Sequence, residues 1–168
     1  MMARAYLSLG SNVEPRRHLR AALAALRERF GPLVVSPAYR SRAVGFDGPD
    51  FINLAVALDS DLPPAGLDAW LHGLEDRLGR RREGPRYADR TLDIDLLAWV
   101  GDDGRIQMAP RPELAHAFVL RPLAEIAPQL RLPDDDRSLA ERWAAFAQAR
   151  EPLTPVSLDD DADDALTR

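Results

Sequence analysis

Two aspartates stand among aliphatic residues in the run RTLDIDLLAWV, Arg90 to Val100. On a strand, residues two apart point the same way and lie roughly 6.5–7 Å apart. Asp93 and Asp95 therefore share one face, while Leu92, Ile94 and Leu96 take the other. A carboxylate drawn out of water must recover its lost hydration from a cation or from convergent donors. Two carboxylates this close also repel, and a hard divalent cation relieves that repulsion. Magnesium suits such a pair best, because it takes one or two carboxylates and completes its shell with water and substrate phosphates. The alternative is a structural network of aspartates and arginines, and Asp-x-Asp alone does not choose between the two.

Arg77, Arg80, Arg81, Arg82, Arg86 and Arg90 crowd into fourteen positions just before the pair, in DRLGRRREGPRYADR. Glu83 and Asp89 offset this charge only in part, and Gly84-Pro85 marks the segment as a loop. Guanidinium forks match phosphate oxygens, so an arginine loop beside two carboxylates is a coherent site for a polyanion carried with metal. The bland alternative is a solvated basic surface or an RNA contact, and adjacency to the aspartates favours phosphate chemistry over it.

These residues need elements to hold them. RAYLSLG alternates and stops at Gly-Ser-Asn, which predicts a first strand over Ala3–Leu9. Pro15 suits a helical first turn, and Leu19, Ala22, Leu23, Leu26 and Phe30 recur at helical spacing as far as Gly31. LVVSPAYR predicts a second strand whose Pro37 marks an edge or a bulge. SRAVGFDGPD is a loop and a candidate lid, FINLAVALD a third strand, and PPAGLDAWLHGLEDRLG a second helix. The aspartate strand follows, with a short strand expected near Ile106. Prolines 110, 112, 122 and 128 predict short pieces thereafter, and SLAERWAAFAQAR a last helix capped by Ser138. The order β-α-β-β-α-β is that of an α+β, ferredoxin-like sandwich. In that fold one face of an antiparallel sheet carries the helices and the other is left for ligands.

At 168 residues the chain suits one domain, expected over 1–150. Residues 151–168 hold six acids against Arg168, which accounts for the net charge of −5 and predicts an acidic, disordered tail. The remaining 21 acidic and 21 basic residues balance, which argues against a nucleic-acid binder. All 22 basic residues are arginine, and without lysine the Gly-Lys-Ser/Thr phosphate loop is excluded. No cysteine is present, no apolar run is long enough for a membrane helix, and no secretion signal is evident, so a cytoplasmic protein is expected.

The run RTLDIDLL, together with LGSN, FINLAVAL and FVLRPLAEIAP in that order, resembles the 6-hydroxymethyl-7,8-dihydropterin pyrophosphokinases of the folate pathway over Ala5–Pro128. That resemblance implies the same ferredoxin-like fold. It also implies transfer of pyrophosphate from ATP to the pterin hydroxymethyl group, release of AMP, and two magnesium ions. By it, Asp93 and Asp95 hold the metal, and Arg80 and Arg90 bind phosphate and act in catalysis with Asp95. Glu75, Arg82, Leu96, Arg111 and His116 fall with Arg80 and Arg90 on the ATP side. Ser41, Val44, Phe51, Asn53 and Phe118 fall around the pterin, its ring between the two phenylalanines. Many members of the family carry histidine where this chain has Arg111, and arginine where it has His116. A monomer is expected, and no general base is assigned.

Without the resemblance, Phe51 and Phe118 read as core, Ser41 as a turn cap, Glu75 as helix surface and His116 as an exposed loop residue. Asn53 is more informative, because a buried amide needs several partners. Two further hypotheses are an RNA-binding module and a pterin-binding protein without turnover. The central acids and the missing aromatic RNA motif oppose the first. The arginines and both aspartates oppose the second.

Overall fold

The computed structural model describes residues 2–79, 91–107, 111–147 and 150–159. Strand β1 (Ala3–Ser11) buries Ala3, Ala5, Leu7 and Leu9 on one side. Helix α1 (Pro15–Phe30) opens with proline, whose missing N–H is no loss in a first turn, and its Leu19, Ala22, Leu23 and Leu26 face the same side. It stops at Gly31, whose φ of 86° suits a residue without Cβ. The expected second strand is two strands, β2 (Leu33–Val35) and β3 (Ala38–Ser41). Pro37 cannot donate to a ladder, so Ser36 fills the break: its N–H donates to the Ala55 carbonyl at 2.9 Å, and its Oγ accepts from the Ala55 N–H at 2.8 Å. Strand β4 (Phe51–Ser60), helix α2 (Pro64–Arg77) and strand β5 (Asp93–Val100) complete the expected β-α-β-β-α-β order.

Among the described residues, six antiparallel strands form one sheet in the order β5-β1-β4-β3-β6, the last being Thr154–Val156, with β2 also pairing β4. The β1–β5 register shifts between Leu7↔Leu96 and Tyr6↔Ala98, so Leu97 is an extra residue, a bulge. Below the bulge Ile94 and Leu96 face α1 and α2; above it Trp99 does. The expected strand near Ile106 is a single bridge to Val100.

Chain not anticipated as helix covers part of the second face. Helix α3 (Ala117–Ile126) continues through Pro122, where short pieces are predicted from the prolines. Its Val119, Leu120, Leu123 and Ala124 pack with Ala55, Leu97 and Ala98, and each such large aliphatic side chain stabilises by roughly 1.5–3 kcal/mol. That burial outweighs the one backbone bond the proline removes. Tyr39 fixes α3 to β3 by donating its hydroxyl to Glu125 at 2.5 Å, beneath the Arg121 guanidinium. Burial, and then that bond to a carboxylate, push the Tyr39 hydroxyl up to about 12. Helix α4 (Leu139–Ala144) is shorter than expected but begins at Ser138 with a reciprocal cap to Glu141. The face left for ligands is therefore the end of the sheet where β1 finishes and β4 and β5 begin.

Where the sequence predicts a tail from Glu151, the structure carries the chain on as strand β6 (Thr154–Val156), paired with β3. Arg16 Nε then donates to the Ser157 carbonyl at 2.5 Å, and Arg20 donates to the Leu158 carbonyl. Val156 and Leu158 pack on the first core. Apolar residues spaced among prolines were enough to seat an edge strand; residues 160–168 lie outside the described residues.

Candidate active site

Register builds the site. Asp93 pairs with Gly10 of β1, Gly10 with Asn53 of β4, and Asn53 with Tyr39 of β3, one row across four strands. A second row runs from Asp95 through Ser8 to Ala55. One end of this surface is anionic, the other carries a buried amide, and a glycine lies between. A Cβ on Gly10 would lie 2.5 Å from Asn53 Oδ1, so any side chain there would push the amide out of place.

Asp95 is held at a cost. Burial, followed by repulsion from Asp93 and Glu113, pushes its carboxyl up to about 7, with Arg111 opposing and Glu75 adding to the rise. Arg111 Nη2 stands 3.7 Å from Asp95 Oδ1, while its Nε donates to Glu113 at 3.3 Å, so one guanidinium is shared by two acids. Among the described residues Arg111 is the cation recorded beside Asp95, against repulsion from Asp93, Glu113 and Glu75, and such repulsion is what a divalent cation relieves. Among the described residues no group of three or more acids or histidines is assembled to hold a metal. A cation here would keep coordination positions for water or phosphate, the pattern magnesium prefers.

Glu75 is not the helix-surface residue its sequence position suggests. It is fully buried, and its Oε2 accepts from the Ile94 N–H at 2.8 Å, between the two aspartates. It thereby anchors the start of β5. Leu96, expected beside the nucleotide, has its side chain in the first core on the face opposite Asp95, as strand alternation demands. Arg80, Arg82 and Arg90 lie outside the described residues, as does the stretch from 80 to 90 that joins them.

At the other end, Asn53 Nδ2 donates to Ser41 Oγ at 3.0 Å, both groups being buried. Ser41 is thus a partner of the amide rather than a turn cap, and it pairs with Phe51 across the strands. Phe51 meets Phe46 edge-on with centroids 6.3 Å apart, and Val44, in the loop between β3 and β4, is exposed. Phe118, in the first turn of α3, stacks on His116 at 4.9 Å. Asn12 was quoted in the sequence only as part of LGSN and given no task. It is fully buried and its Nδ2 donates to the Pro49 carbonyl at 3.2 Å, tying the end of β1 to the loop that leads into Phe51. Polar residues straight after a strand that ends in glycine were the available signal.

The chain matches the family 7,8-dihydro-6-hydroxymethylpterin-pyrophosphokinase (HPPK) over residues 6–128. It is similar to the 2-amino-4-hydroxy-6-hydroxymethyldihydropteridine pyrophosphokinase of Pseudomonas aeruginosa, 43% identical over 153 residues that span 86% of this chain and 93% of the relative. The protein of the same name from Methylorubrum extorquens is 43% identical over 136 residues, 77% of this chain and 85% of the relative. That of Bacillus subtilis is 37% identical over 133 residues, 75% of this chain and 79% of the relative.

Proposed function

The chain belongs to the 7,8-dihydro-6-hydroxymethylpterin-pyrophosphokinase family, and from that premise we infer that it transfers pyrophosphate from ATP to the hydroxymethyl group of 6-hydroxymethyl-7,8-dihydropterin in folate biosynthesis. The pterin hydroxyl oxygen forms a bond to the β-phosphorus of ATP. The bond from that phosphorus to the α–β bridging oxygen breaks, AMP leaves with the oxygen, and the hydroxyl proton passes to solvent.

The observation that supports the site assignment is the row Asp93–Gly10–Asn53, in which the proposed metal-binding and heterocycle-binding ends flank β1, two strand spacings or roughly 9–10 Å apart. We assign Asp93 and Asp95 to two magnesium ions, which when bound neutralise the triphosphate and make its β-phosphorus more electrophilic. Arg80, Arg82 and Arg90 are assigned to the phosphates. Arg111, already beside Asp95, and His116 join them. Glu75 serves by fixing the strand that bears both aspartates.

Asn53 reads the edge of the pterin with Ser41 and the backbone of Val44, while Phe51 and Phe118 take its faces. Positioning and charge stabilisation then supply the catalysis, without a side-chain general base. Among the described residues no helix is long and apolar enough to cross a membrane; a cytoplasmic monomer completes the proposal.

Purified protein supplied with ATP, magnesium and the hydroxymethyl dihydropterin should yield AMP and the pterin diphosphate in equal amounts. ADP as product, or no turnover, would reject the transfer. Gly10→Ala tests the carrying observation. Crowding Asn53 costs about 1–3 kcal/mol, so the Michaelis constant for pterin should rise about tenfold or more and that for ATP should hold within about threefold. Equal rises in both would disconnect Gly10 from the pterin end.

A further inference from the structure

We propose that Glu151, delivered by the C-terminal segment, is a positioning residue for the pterin side of the site, acting through His116 and Phe118. Helix α3 begins at Ala117, and His116 in the preceding position supplies no side-chain cap, so the first N–H groups of the helix need acceptors from elsewhere. Glu151 Oε1 provides one, accepting from the Ala117 N–H at 3.0 Å. The same oxygen lies 3.3 Å from His116 Nδ1. A carboxylate only accepts, so that nitrogen carries the proton and donates. The imidazole, held in this way, stacks on the Phe118 ring with an interplanar angle of 19°. One carboxylate therefore fixes both the start of α3 and the ring packed on Phe118, and its negative charge suits the helix N-terminus.

The segment that brings Glu151 here is moored further along. Strand β6 pairs with β3, the strand that carries Ser41, and Arg16 and Arg20 hold the Ser157 and Leu158 carbonyls. The C-terminal segment thus spans from the first core to the aromatic pair. Phe118 benefits from such support because it sits in the first turn of its helix, where the N–H groups have no partner within the helix.

This inference rests on the pterin-binding reading of Phe118, and a double-mutant cycle separates the two. Pterin affinity is measured calorimetrically on the full chain with a nonhydrolysable ATP analogue and magnesium present. Glu151→Ala should weaken pterin about tenfold while turnover at saturation stays within about twofold, and nucleotide affinity should fall by no more than about threefold, the worth of one partly exposed contact among several on the phosphates. Glu151→Gln keeps an oxygen for the Ala117 N–H and the His116 Nδ1–H, and should recover affinity to within about threefold of the parent. In a Phe118→Ala background, Glu151→Ala should have no further effect.

Independent, multiplying effects of the two substitutions would overturn the proposal, as would unchanged pterin affinity in Glu151→Ala. Equal loss of nucleotide and pterin binding would do the same, because a helix-wide structural defect predicts it. If the parent protein bound nucleotide but no pterin, the functional reading itself would fail.

Discussion

Asp95→Asn is expected to reduce turnover by about a thousandfold or more while making the ligand-free protein more stable at neutral pH. The loss follows from removing one of two carboxylates assigned to the metal ions that neutralise the triphosphate, a term worth several kcal/mol of the barrier. The gain follows from the same charge. Asp95 sits among Asp93, Glu113 and Glu75 with Arg111 as the nearest cation among the described residues, and its carboxyl is pushed up to about 7.

An acid whose folded pKa exceeds its unfolded value holds its proton more tightly in the native state. Its contribution is fully present below the unfolded value near 3.8 and is lost as pH rises through about 7. At 1.36 kcal/mol per pH unit the upper bound is ~4 kcal/mol. The Asp95 side chain is 29% exposed, and solvent screening brings the expectation to roughly 1–2 kcal/mol. Thermal melts of the ligand-free protein between pH 5 and 8 should show parent stability declining with pH and the variant holding level. Magnesium with a nonhydrolysable nucleotide should raise the parent's melting temperature and barely move the variant's. A variant less stable than its parent at pH 8, or one retaining a tenth of parent turnover, would remove Asp95 from this role.

The aspartate pair was legible because strand alternation is a rigid rule: once Leu92, Ile94 and Leu96 belong to the core, Asp93 and Asp95 have only the other face. The same rule puts the Leu96 side chain in the core opposite Asp95, which leaves its backbone for the nucleotide contact that the resemblance to known pyrophosphokinases implies. Helical spacing gave α1 and α2 their bounds, and Ser138 its cap. What escaped depends on contacts between distant segments.

Glu75 has the spacing of a surface residue, and only the approach of Ile94 makes it a buried anchor. Pro122 reads as a breaker until Ala55, Leu97 and Ala98 are brought beneath its helix. Glu151 reads as the first acid of a tail until β6 places it on Ala117. In each case tertiary burial or a long-range hydrogen bond overrides a local preference worth about 1–3 kcal/mol.

Asn53→Leu should separate the two ends of the site, abolishing pterin recognition and sparing nucleotide binding. The amide is 4% exposed, its Nδ2 donates to Ser41, and Gly10 leaves space for its Oδ1. That burial and hydrogen bond preset the side chain to meet a hydrogen-bonding heterocycle with little reorganisation. Leucine preserves shape and approximate volume but offers no donor or acceptor. The pterin edge then loses its partners within a dry pocket, and each buried group left unsatisfied costs about 1–3 kcal/mol.

Two such groups correspond to a loss of pterin affinity on the order of thirtyfold to twenty-thousandfold. Stability should change by less than about 1 kcal/mol, because added apolar burial offsets the donor that Ser41 loses. ATP affinity should hold within about threefold, since β1 stands between Asn53 and the aspartates. Asn53→Asp adds a second arm: it keeps the acceptor oxygens, removes the donor, and places a negative charge one strand from Asp93's partner Gly10. It should lose pterin affinity and, by adding negative charge near the aspartates, measurably tighten divalent binding in the absence of pterin. Calorimetry with the nonhydrolysable nucleotide, then with pterin added, reads both arms. Pterin bound by Asn53→Leu as tightly as by the parent would mean that the heterocycle lies elsewhere and that this row of paired residues is only packing.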